Sequence, residues 1–328
     1  MERAIILTQA EGGADTVETI WPDKPVWLAP LLDQSAIQLN LHLLRRHGFR
    51  QVAIQATHPD SPVCGGLNGF RPAGMDVTFT TCPVTEADGP LLMLRACMVT
   101  DADLSALCLQ HDASGAEVTL AVGQKYTGRS VAVDAEGGVM AISLDDQTSS
   151  RPRLTSLGIM AVSASALRKR SLTAGDDGEW LKALLKTDTD IRAFEMPGYW
   201  HGLTTVQDYR EIQLDLLYGR VGLRVDGRRW GSAIIARASR LPPDVRVTGR
   251  CYVGPYATVG RGTVLGAGTI IGPGARVGRN VRMENALLCE KTAVDSDTVL
   301  RNVMVLPRPG GGSSAMSPFF APNTSNGS

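Results

Sequence analysis

The stretch VGPYATVGRGTVLGAGTIIGPGARVG, residues 253–278, decides the fold of the C-terminal third of the chain. An aliphatic residue recurs at every sixth position from Ile235 to Met283, and glycine follows most members in the middle of this run. A period of six fits neither the helical repeat of 3.6 nor the strand repeat of 2, but it is typical of a parallel β-helix. Glycine suits the corners of such a fold because it tolerates unusual backbone angles. The sequence therefore predicts a hexapeptide-repeat β-helix over residues 235–306.

The N-terminal half alternates short apolar runs with helix-like segments. Residues 34–47 place Ile37, Leu41 and Leu44 on one helical face, and Gly48 follows as a C-cap would. Strands that alternate with helices favour a mostly parallel sheet in a Rossmann-like α/β domain. Ligands of such sheets bind beyond the carboxyl ends of the strands, so the loops after the first and fourth runs are candidate sites. The first four strand-like runs are residues 4–7, 51–56, 77–81 and 91–94.

The length of 328 residues predicts two domains at the usual domain size. We expect an α/β domain over residues 1–219, a linker over 220–234 and the β-helix over 235–306. Residues 307–328 are rich in glycine, serine and proline, and this composition predicts a disordered tail.

Composition argues against several classes of protein. The chain holds 33 basic and 33 acidic residues with no basic run, so the charge pattern of a nucleic-acid-binding protein is missing. No stretch approaches the roughly 20 consecutive apolar residues of a membrane span, and the first residues do not resemble a signal peptide, so we expect a cytoplasmic protein. The six cysteines lie far apart without a C-x-x-C pair, which favours reduced thiols over disulfides or a zinc site.

Four features together resemble the sugar-1-phosphate nucleotidylyltransferases, also called nucleotide-sugar pyrophosphorylases. They are the apolar strand at residues 4–7, the pair Lys24-Pro25, a helix that ends in RRHG, and a hexapeptide β-helix behind the α/β domain. The resemblance covers nearly the whole chain, to about Leu306. It implies a Rossmann-like nucleotidyltransferase domain followed by a left-handed parallel β-helix, and a site for a nucleotide, a sugar phosphate and Mg²⁺.

The first loop departs from the family pattern. In the family this loop reads approximately A-G-G-x-G-T-R, its glycines let backbone N–H groups reach phosphates, and its arginine neutralises charge. Here Gly12 matches, Gly13 lies beside it, and Ala14 stands at the arginine position with the acidic Asp15 next to it. Lys24 is retained, and it either contacts a phosphate or only belongs to a turn.

The positions that carry Mg²⁺ ligands in the family have also changed. The family has G-D after the fourth strand, whereas this chain has Ala96-Cys97, and a thiol is a poor ligand for a hard cation. The family motif G-Y-W-x-D appears here as GYWHG, so Gly202 occupies the aspartate position. His201 before it either coordinates a metal or phosphate or is structural. In the sugar-contacting region only Gly158 matches, and the segment between the third and fourth strands is too short for a helical crossover.

These departures remove both metal carboxylates, the loop arginine and the base-binding loop, while the scaffold remains. Nucleotidyl transfer depends on positioning and on charge stabilisation by metal and cations. We therefore expect a non-catalytic, nucleotidyltransferase-like protein that needs no cofactor. It would act as a regulatory, assembly or nucleotide-sugar-sensing subunit in nucleotide-sugar or polysaccharide biosynthesis. Its partners would be a nucleotide or nucleotide sugar, and a second copy or another protein through the β-helix.

Three alternatives stay open at the level of sequence. An active nucleotidylyltransferase with a rearranged site would use Mg²⁺ with Asp101, Asp103, Lys24 and His201, although the two aspartates also suit the start of the next helix. A hexapeptide-repeat acyltransferase would need a histidine base, and all five histidines precede the repeat. A scaffold that binds no ligand is the third.

Overall fold

A computed structural model describes residues 1–8, 25–55, 67, 70–81, 89–125, 129–143, 153–172, 177–307 and 315–318. The described residues form two compact units. The α/β unit contains residues 1–8, 25–29 and 36–204, and the repeat unit contains residues 30–35 and 205–318, with the gaps given above. No helix within the described residues has the length and apolar character needed to cross a bilayer.

The elements are numbered along the chain. The helices are α1 (Ala36–Arg46), α2 (Leu104–Ser114), α3 (Ala164–Lys169), α4 (Asp177–Leu184) and α5 (Val206–Tyr218), with a short 3-10 helix at Val26–Leu28. The strands up to residue 204 are β1 (Arg3–Leu7), β2 (Pro30–Leu31), β3 (Gln34–Ser35), β4 (Gln51–Gln55), β5 (Asp76–Thr80), β6 (Leu91–Arg95), β7 (Met98–Thr100), β8 (Val118–Lys125), β9 (Val131–Val133), β10 (Val139–Ile142), β11 (Arg153–Val162), β12 (Ile191–Glu195) and β13 (Trp200–Gly202). The later strands are β14 (Arg228–Trp230), β15 (Ala233–Ile235), β16 (Arg246–Val247), β17 (Cys251–Val253), β18 (Thr258–Val259), β19 (Val264–Leu265), β20 (Thr269–Ile271), β21 (Arg276–Val277), β22 (Arg282–Leu288), β23 (Ala293–Val294), β24 (Val299–Leu306) and β25 (Ala315–Pro318).

The α/β unit is built on a seven-stranded sheet with the order β12-β8-β11-β6-β1-β4-β5. Only β11 runs antiparallel to its neighbours among these described strands, and the other pairs are parallel. Ile5 of β1 pairs with Ala53 of β4 on one side and with Met93 of β6 on the other. The prediction of a mixed α/β domain with a largely parallel, Rossmann-like sheet is therefore confirmed.

Helix α1 shows how sequence pattern and packing agree in this unit. Ile37, Leu41 and Leu44 are spaced three or four residues apart, and each is fully buried. Residues at this spacing share one face of a helix, and burial of a large aliphatic side chain contributes about 1.5–3 kcal/mol. The helix ends at Arg46, and Gly48 adopts a positive φ of 84° after it.

The repeat unit is a ladder of short parallel strands. Its partners lie about 18 residues apart, so that Val253 pairs with Ile235 before it and with Ile271 after it. These three aliphatic residues are buried in one core cluster together with other members of the six-residue series. Three hexapeptides therefore make one step of the ladder, which explains the period of the sequence.

Both ends of the ladder carry an antiparallel strand. Strand β14 pairs with β15 at the start, and β25 pairs with β24 at the end. The composition of residues 307–328 predicts disorder, whereas Ala315–Pro318 form a strand along this edge. An edge strand offers unpaired N–H and C=O groups, and added pairing satisfies them.

Helix α5 lies in the repeat unit, although sequence analysis assigns it to the first domain. Its Arg210 donates to Asn285 Oδ1 at 3.0 Å, and its Tyr209 donates to the Pro30 carbonyl at 2.8 Å. The backbone N–H of Leu32 in turn donates to Gln213 Oε1 of the helix. The β2–β3 hairpin is therefore fastened to α5 inside this unit.

Candidate functional site

The carboxyl ends of β1 and β6 meet at one edge of the central sheet. Leu7 of β1 pairs with Arg95 of β6 where the two strands end, and the N–H of Ala96 donates to the Leu7 carbonyl at 2.8 Å. Thr8 follows β1, where its hydroxyl donates to the Gln55 carbonyl at 2.6 Å. This edge is the place where ligands of parallel sheets bind, so it is the candidate site.

The structure brings Cys97 and Gly202 together. Cys97 lies in the turn between β6 and β7, and Gly202 ends β13, which pairs with β7. Gly202 is in register with Met98, and the N–H of the next residue, Leu203, donates to the Cys97 carbonyl at 2.7 Å. Two positions about 100 residues apart in sequence thus lie side by side at this edge.

The chemistry of these two positions does not fit a magnesium ion. Cys97 is 6% exposed and offers sulfur, whereas Mg²⁺ prefers carboxylate and water oxygens. Gly202 has no side chain, and a Cβ built on it would meet no atom within 4 Å. In the described part of the chain no group of three or more His, Cys, Asp or Glu residues is arranged to hold a metal ion.

Asp101 and Asp103 both make structural hydrogen bonds. Asp103 is the N-cap of α2, where its Oδ1 accepts from the N–H groups of Ser105 and Ala106 at 2.9 and 3.2 Å. Asp101 Oδ1 accepts from the N–H of Tyr199 at 2.8 Å. Both aspartates are assigned to the helix start by sequence, but only Asp103 caps the helix, whereas Asp101 anchors the turn before β13.

The GYW segment packs against the sheet. A Cβ on Gly123 of β8 would lie 2.6 Å from Cζ2 of Trp200, so the indole ring rests directly on the glycine backbone. His201 is half-buried, and its Nδ1 lies 3.5 Å from the hydroxyl of Tyr199. The glycine at position 123 therefore makes room for a large aromatic side chain beside the candidate site.

Sequence analysis missed a buried ionic cluster in this unit. Arg95, the last residue of β6, donates to Asp177 through Nε at 2.9 Å and through Nη2 at 2.6 Å. Arg129 also donates to Asp177, at 3.3 Å. The side chains of Arg95, Arg129 and Asp177 are 17, 11 and 7% exposed. We call these three residues the Arg–Asp–Arg cluster.

The electrostatics of the cluster keep Asp177 ionised. Burial alone would raise the pKa of this carboxyl, because an ion is poorly solvated in the interior. The charges and hydrogen bonds of Arg95 and Arg129 outweigh burial and hold the pKa below its ordinary value. The carboxylate therefore binds two guanidinium groups at neutral pH.

The absence of a side chain at Gly158 leaves space for the Arg95 side chain. It has a positive φ of 67°, and a Cβ at this position would lie 2.7 Å from Cδ of Arg95. The arginine stem therefore passes directly over the glycine backbone on its way to Asp177. The residue that sequence analysis assigns to sugar contact is in this structure covered by a side chain of the same protein.

Other predicted positions lie outside the described residues. These are Gly12, Gly13, Lys24 and the neighbouring Ala14 and Asp15 of the first loop. The segment 82–88, where the base-binding loop of the family would fall, lies outside them as well. Their proposed roles stay predictions.

Comparison with known proteins gives a fold and no family. No protein-family model matches the sequence, and no curated protein matches it. Among solved structures, HddC from Yersinia pseudotuberculosis aligns with a TM-score of 0.52 and 13% identity, over 65% of this chain and 98% of HddC. HddC complexed with GMP-PN aligns with the same TM-score and coverage at 12% identity. At this identity the likeness shows the fold alone.

Proposed function

We propose that this protein is a non-catalytic relative of the sugar-1-phosphate nucleotidylyltransferases. It acts as a regulatory, assembly or nucleotide-sugar-sensing subunit in nucleotide-sugar or polysaccharide biosynthesis. The observation that carries this proposal is the pairing of β7 with β13, which sets Cys97 and Gly202 side by side at the sheet edge. The resemblance assigns metal carboxylates to these two positions, and neither side chain supplies an oxygen ligand.

The Arg–Asp–Arg cluster supports the same proposal. Enzymes that transfer nucleotidyl groups stabilise developing negative charge with metal ions and with cations that face the substrate. Here Arg95 and Arg129 direct donors to the carboxylate of Asp177, and the Arg95 stem covers Gly158. Cationic groups near the edge are thus committed to a bond within the protein.

A nucleotide remains the ligand that the fold favours. HddC has been solved in complex with GMP-PN, and this chain shares its fold. The glycine-containing segment that follows β1 in the sequence, with Gly12, Gly13 and Lys24, would contact the phosphates in our proposal. Binding without turnover would make the α/β unit a sensor of nucleotide or nucleotide sugar.

The repeat unit supplies the binding surface for partners in this proposal. The parallel pairing at an 18-residue step supports a left-handed β-helix with three faces, in the form that the resemblance implies. Such solenoids present long flat surfaces to partners. We assign self-association or partner binding to this unit.

An active enzyme with a rearranged site is the weaker alternative. It requires Asp101 and Asp103 to turn toward a metal, but Asp103 caps α2 and Asp101 accepts from the Tyr199 N–H. Release of these carboxylates would leave backbone donors without their partners, at a cost of about 1 kcal/mol for a helix cap.

The test is an assay of pyrophosphate release. Purified full-length protein is incubated with Mg²⁺, each of the four nucleoside triphosphates and a panel of sugar 1-phosphates. We expect no release above the rate without protein, since the ligands that position the metal are missing. Turnover on the order of 1 per second or faster, in the ordinary range of enzymes, would refute the proposal. In that event, loss of activity in Asp103→Ala would identify the rearranged site.

A further inference from the structure

The two parts of the chain differ in charge, although the whole chain is neutral. Residues 205–328 contain 16 basic and 9 acidic residues, a net charge of +7, and 15 of the 16 basic residues are arginine. Residues 1–204 contain 17 basic and 24 acidic residues, a net charge of −7. The basic charge therefore belongs to the repeat part, and almost all of it is guanidinium.

Six exposed arginines follow the ladder in three neighbouring columns. Two columns lie on adjacent strand stacks, and the third lies at the corner between them, so that the six side chains gather along one edge of the ladder. We call this set the arginine ridge. The strand columns are Arg246–Val264–Arg282 and Arg240–Thr258–Arg276, and the corner column is Arg261–Arg279.

The ridge is not neutralised by the repeat unit. Arg220, Arg224 and Arg301 each form an ion pair with a carboxylate, but within the described part of the chain no ridge arginine does so. The acidic residues nearest in sequence are Asp244 and Glu284, and Glu284 is paired with Arg301 at 3.6 Å. Asp297, whose N–H donates to the Arg279 carbonyl, accepts a hydrogen bond from Asn280. The ridge therefore presents net positive charge to solvent.

Fold stability gives no reason for this arrangement. Neighbouring strands lie about 4.8 Å apart, and Arg261 and Arg279 occupy neighbouring steps. Like charges that face each other across strands are destabilising. A partner that brings negative charge to the ridge would remove this repulsion, so the ridge is better explained by binding.

The chemistry of the arginine side chains restricts which class of partner the ridge can bind. A planar guanidinium group pairs with carboxylate through two parallel hydrogen bonds, a geometry that lysine does not provide. Sites for single-stranded nucleic acid add aromatic side chains on which bases stack. The ridge columns contain valine and threonine between the arginines and no aromatic residue. Its chemistry thus fits carboxylates on a flexible chain better than stacked bases.

We infer that the arginine ridge binds an acidic polypeptide segment, whose aspartate or glutamate carboxylates pair with its guanidinium groups. The strand columns span two steps of the ladder, about 10 Å, which is the length of about three extended residues. A short cluster of acidic residues is therefore sufficient. This inference is independent of whether the α/β unit catalyses a reaction.

The test measures binding of a fluorescent deca-glutamate peptide to the full-length protein by anisotropy. We expect saturable binding in 50 mM NaCl and its loss in 500 mM NaCl, because salt screens exposed charges. Arg261→Glu/Arg279→Glu should weaken binding by at least about tenfold, as reversal of interface charge does. The matched control is Arg228→Glu/Arg229→Glu, which makes the same change of net charge on β14 and should bind within about twofold of wild type.

Several results would overturn the inference. Absence of peptide binding in 50 mM NaCl is one such result. An equal loss of affinity in Arg228→Glu/Arg229→Glu is another, since the peptide would then be attracted by net charge and not by the ridge. Tighter binding of deca-thymidylate or heparin than of the peptide would reassign the ridge to another polyanion. Arg261→Gln/Arg279→Gln serves as a second variant if the charge reversal unfolds the protein, as judged by circular dichroism, and wild-type affinity in it would also contradict the inference.

Discussion

Glycine serves different purposes in the two units. In the repeat unit, a Cβ on Gly254 would lie 2.8 Å from the Ile271 carbonyl oxygen, and one on Gly272 would lie 2.6 Å from that of Leu288. The obstacle is the backbone of the next step, which recurs wherever the chain turns the same corner. Glycine is required here by the fold itself, so it repeats along the sequence.

In the α/β unit the obstacle is a single distant side chain. Gly158 gives room to the Arg95 stem, and Gly123 gives room to the Trp200 ring. Each contact involves one partner residue, and no regular spacing in the sequence predicts that contact. Constraints that recur at a fixed period can therefore be read from a sequence, whereas a constraint between one pair of residues is found only in the structure.

The largest effect is expected from the Arg–Asp–Arg cluster. Asp177→Ala leaves two guanidinium groups buried without their carboxylate, so the free energy of unfolding should fall by about 3–5 kcal/mol. The control is Glu179→Ala on the same helix, whose 3.9 Å pair with Lys182 is exposed and should contribute less than about 1 kcal/mol. Urea denaturation measures both, and equal effects would show that the cluster does not stabilise the α/β unit.

The cluster also predicts sensitivity to acid. The folded state holds the pKa of Asp177 below its unfolded value, so its contribution is present at neutral pH and is lost as the pH falls through the folded value. The gap in unfolding free energy between wild type and Asp177→Asn should therefore narrow as the pH is lowered from 6 toward 2. A constant gap across this range would contradict ionisation of Asp177.

A smaller effect is expected from Gly272→Ala in the repeat unit. The added methyl group meets a backbone carbonyl that cannot turn aside, and such overpacking costs about 1–3 kcal/mol. Gly202→Ala is the matched control, because its methyl group points into open space and should change stability by less than about 0.5 kcal/mol. If both variants unfold at the wild-type urea midpoint, the packing of the ladder is not as tight as described.

The smallest effect is expected at Asp33, in the β2–β3 hairpin. Burial raises the pKa of this carboxyl, and the nearby charge of Asp226 adds to the rise, although the Asp226 N–H donates to it at 3.2 Å. A raised pKa means that the ionised form weakens the fold above that pKa, and that stability recovers as the pH falls. Asp33→Asn should therefore raise the melting temperature at pH 7, with the gain shrinking toward pH 3.

The control for this prediction is Asp244→Asn, which removes an exposed carboxylate and should leave the melting temperature unchanged at both pH values. A lower melting temperature for Asp33→Asn at pH 7 would mean that the charge of Asp33 stabilises the hairpin instead.

The sequence predicts the ladder and the main sheet because both follow local patterns. The six-residue series places Val253 and Ile271 in one core, and the apolar spacing of α1 locates its buried face. The adjacency of Cys97 and Gly202 needs the structure, because it depends on the antiparallel pairing of β7 with β13 outside the seven-stranded sheet, whereas the predictions of the ladder and the main sheet do not. These predictions rest on rules that hold along a continuous stretch of chain.

No rule of this kind predicts the Arg–Asp–Arg cluster from the sequence. Arg95 and Asp177 lie 82 residues apart, and Arg129 and Asp177 lie 48 residues apart. The single local signal is Arg95 at the end of the apolar run LLML, because a charged side chain that is buried requires a partner. The sequence leaves that partner open among many acidic residues, and only packing selects Asp177.

The central claim is that the side chains of Cys97 and Gly202 supply no carboxylate for a divalent ion at the sheet edge, and titration with Mn²⁺ followed by electron paramagnetic resonance tests it most directly. Wild-type protein, Cys97→Asp/Gly202→Asp and the uncharged control Cys97→Asn/Gly202→Asn are compared, with and without a nucleoside triphosphate. We predict that only the double-aspartate variant gains a saturable Mn²⁺ site from which Mg²⁺ displaces the ion, because carboxylates are the ligands that both ions prefer. A stoichiometric Mn²⁺ site in the wild-type protein, displaced by Mg²⁺ and strengthened by nucleotide, would contradict it.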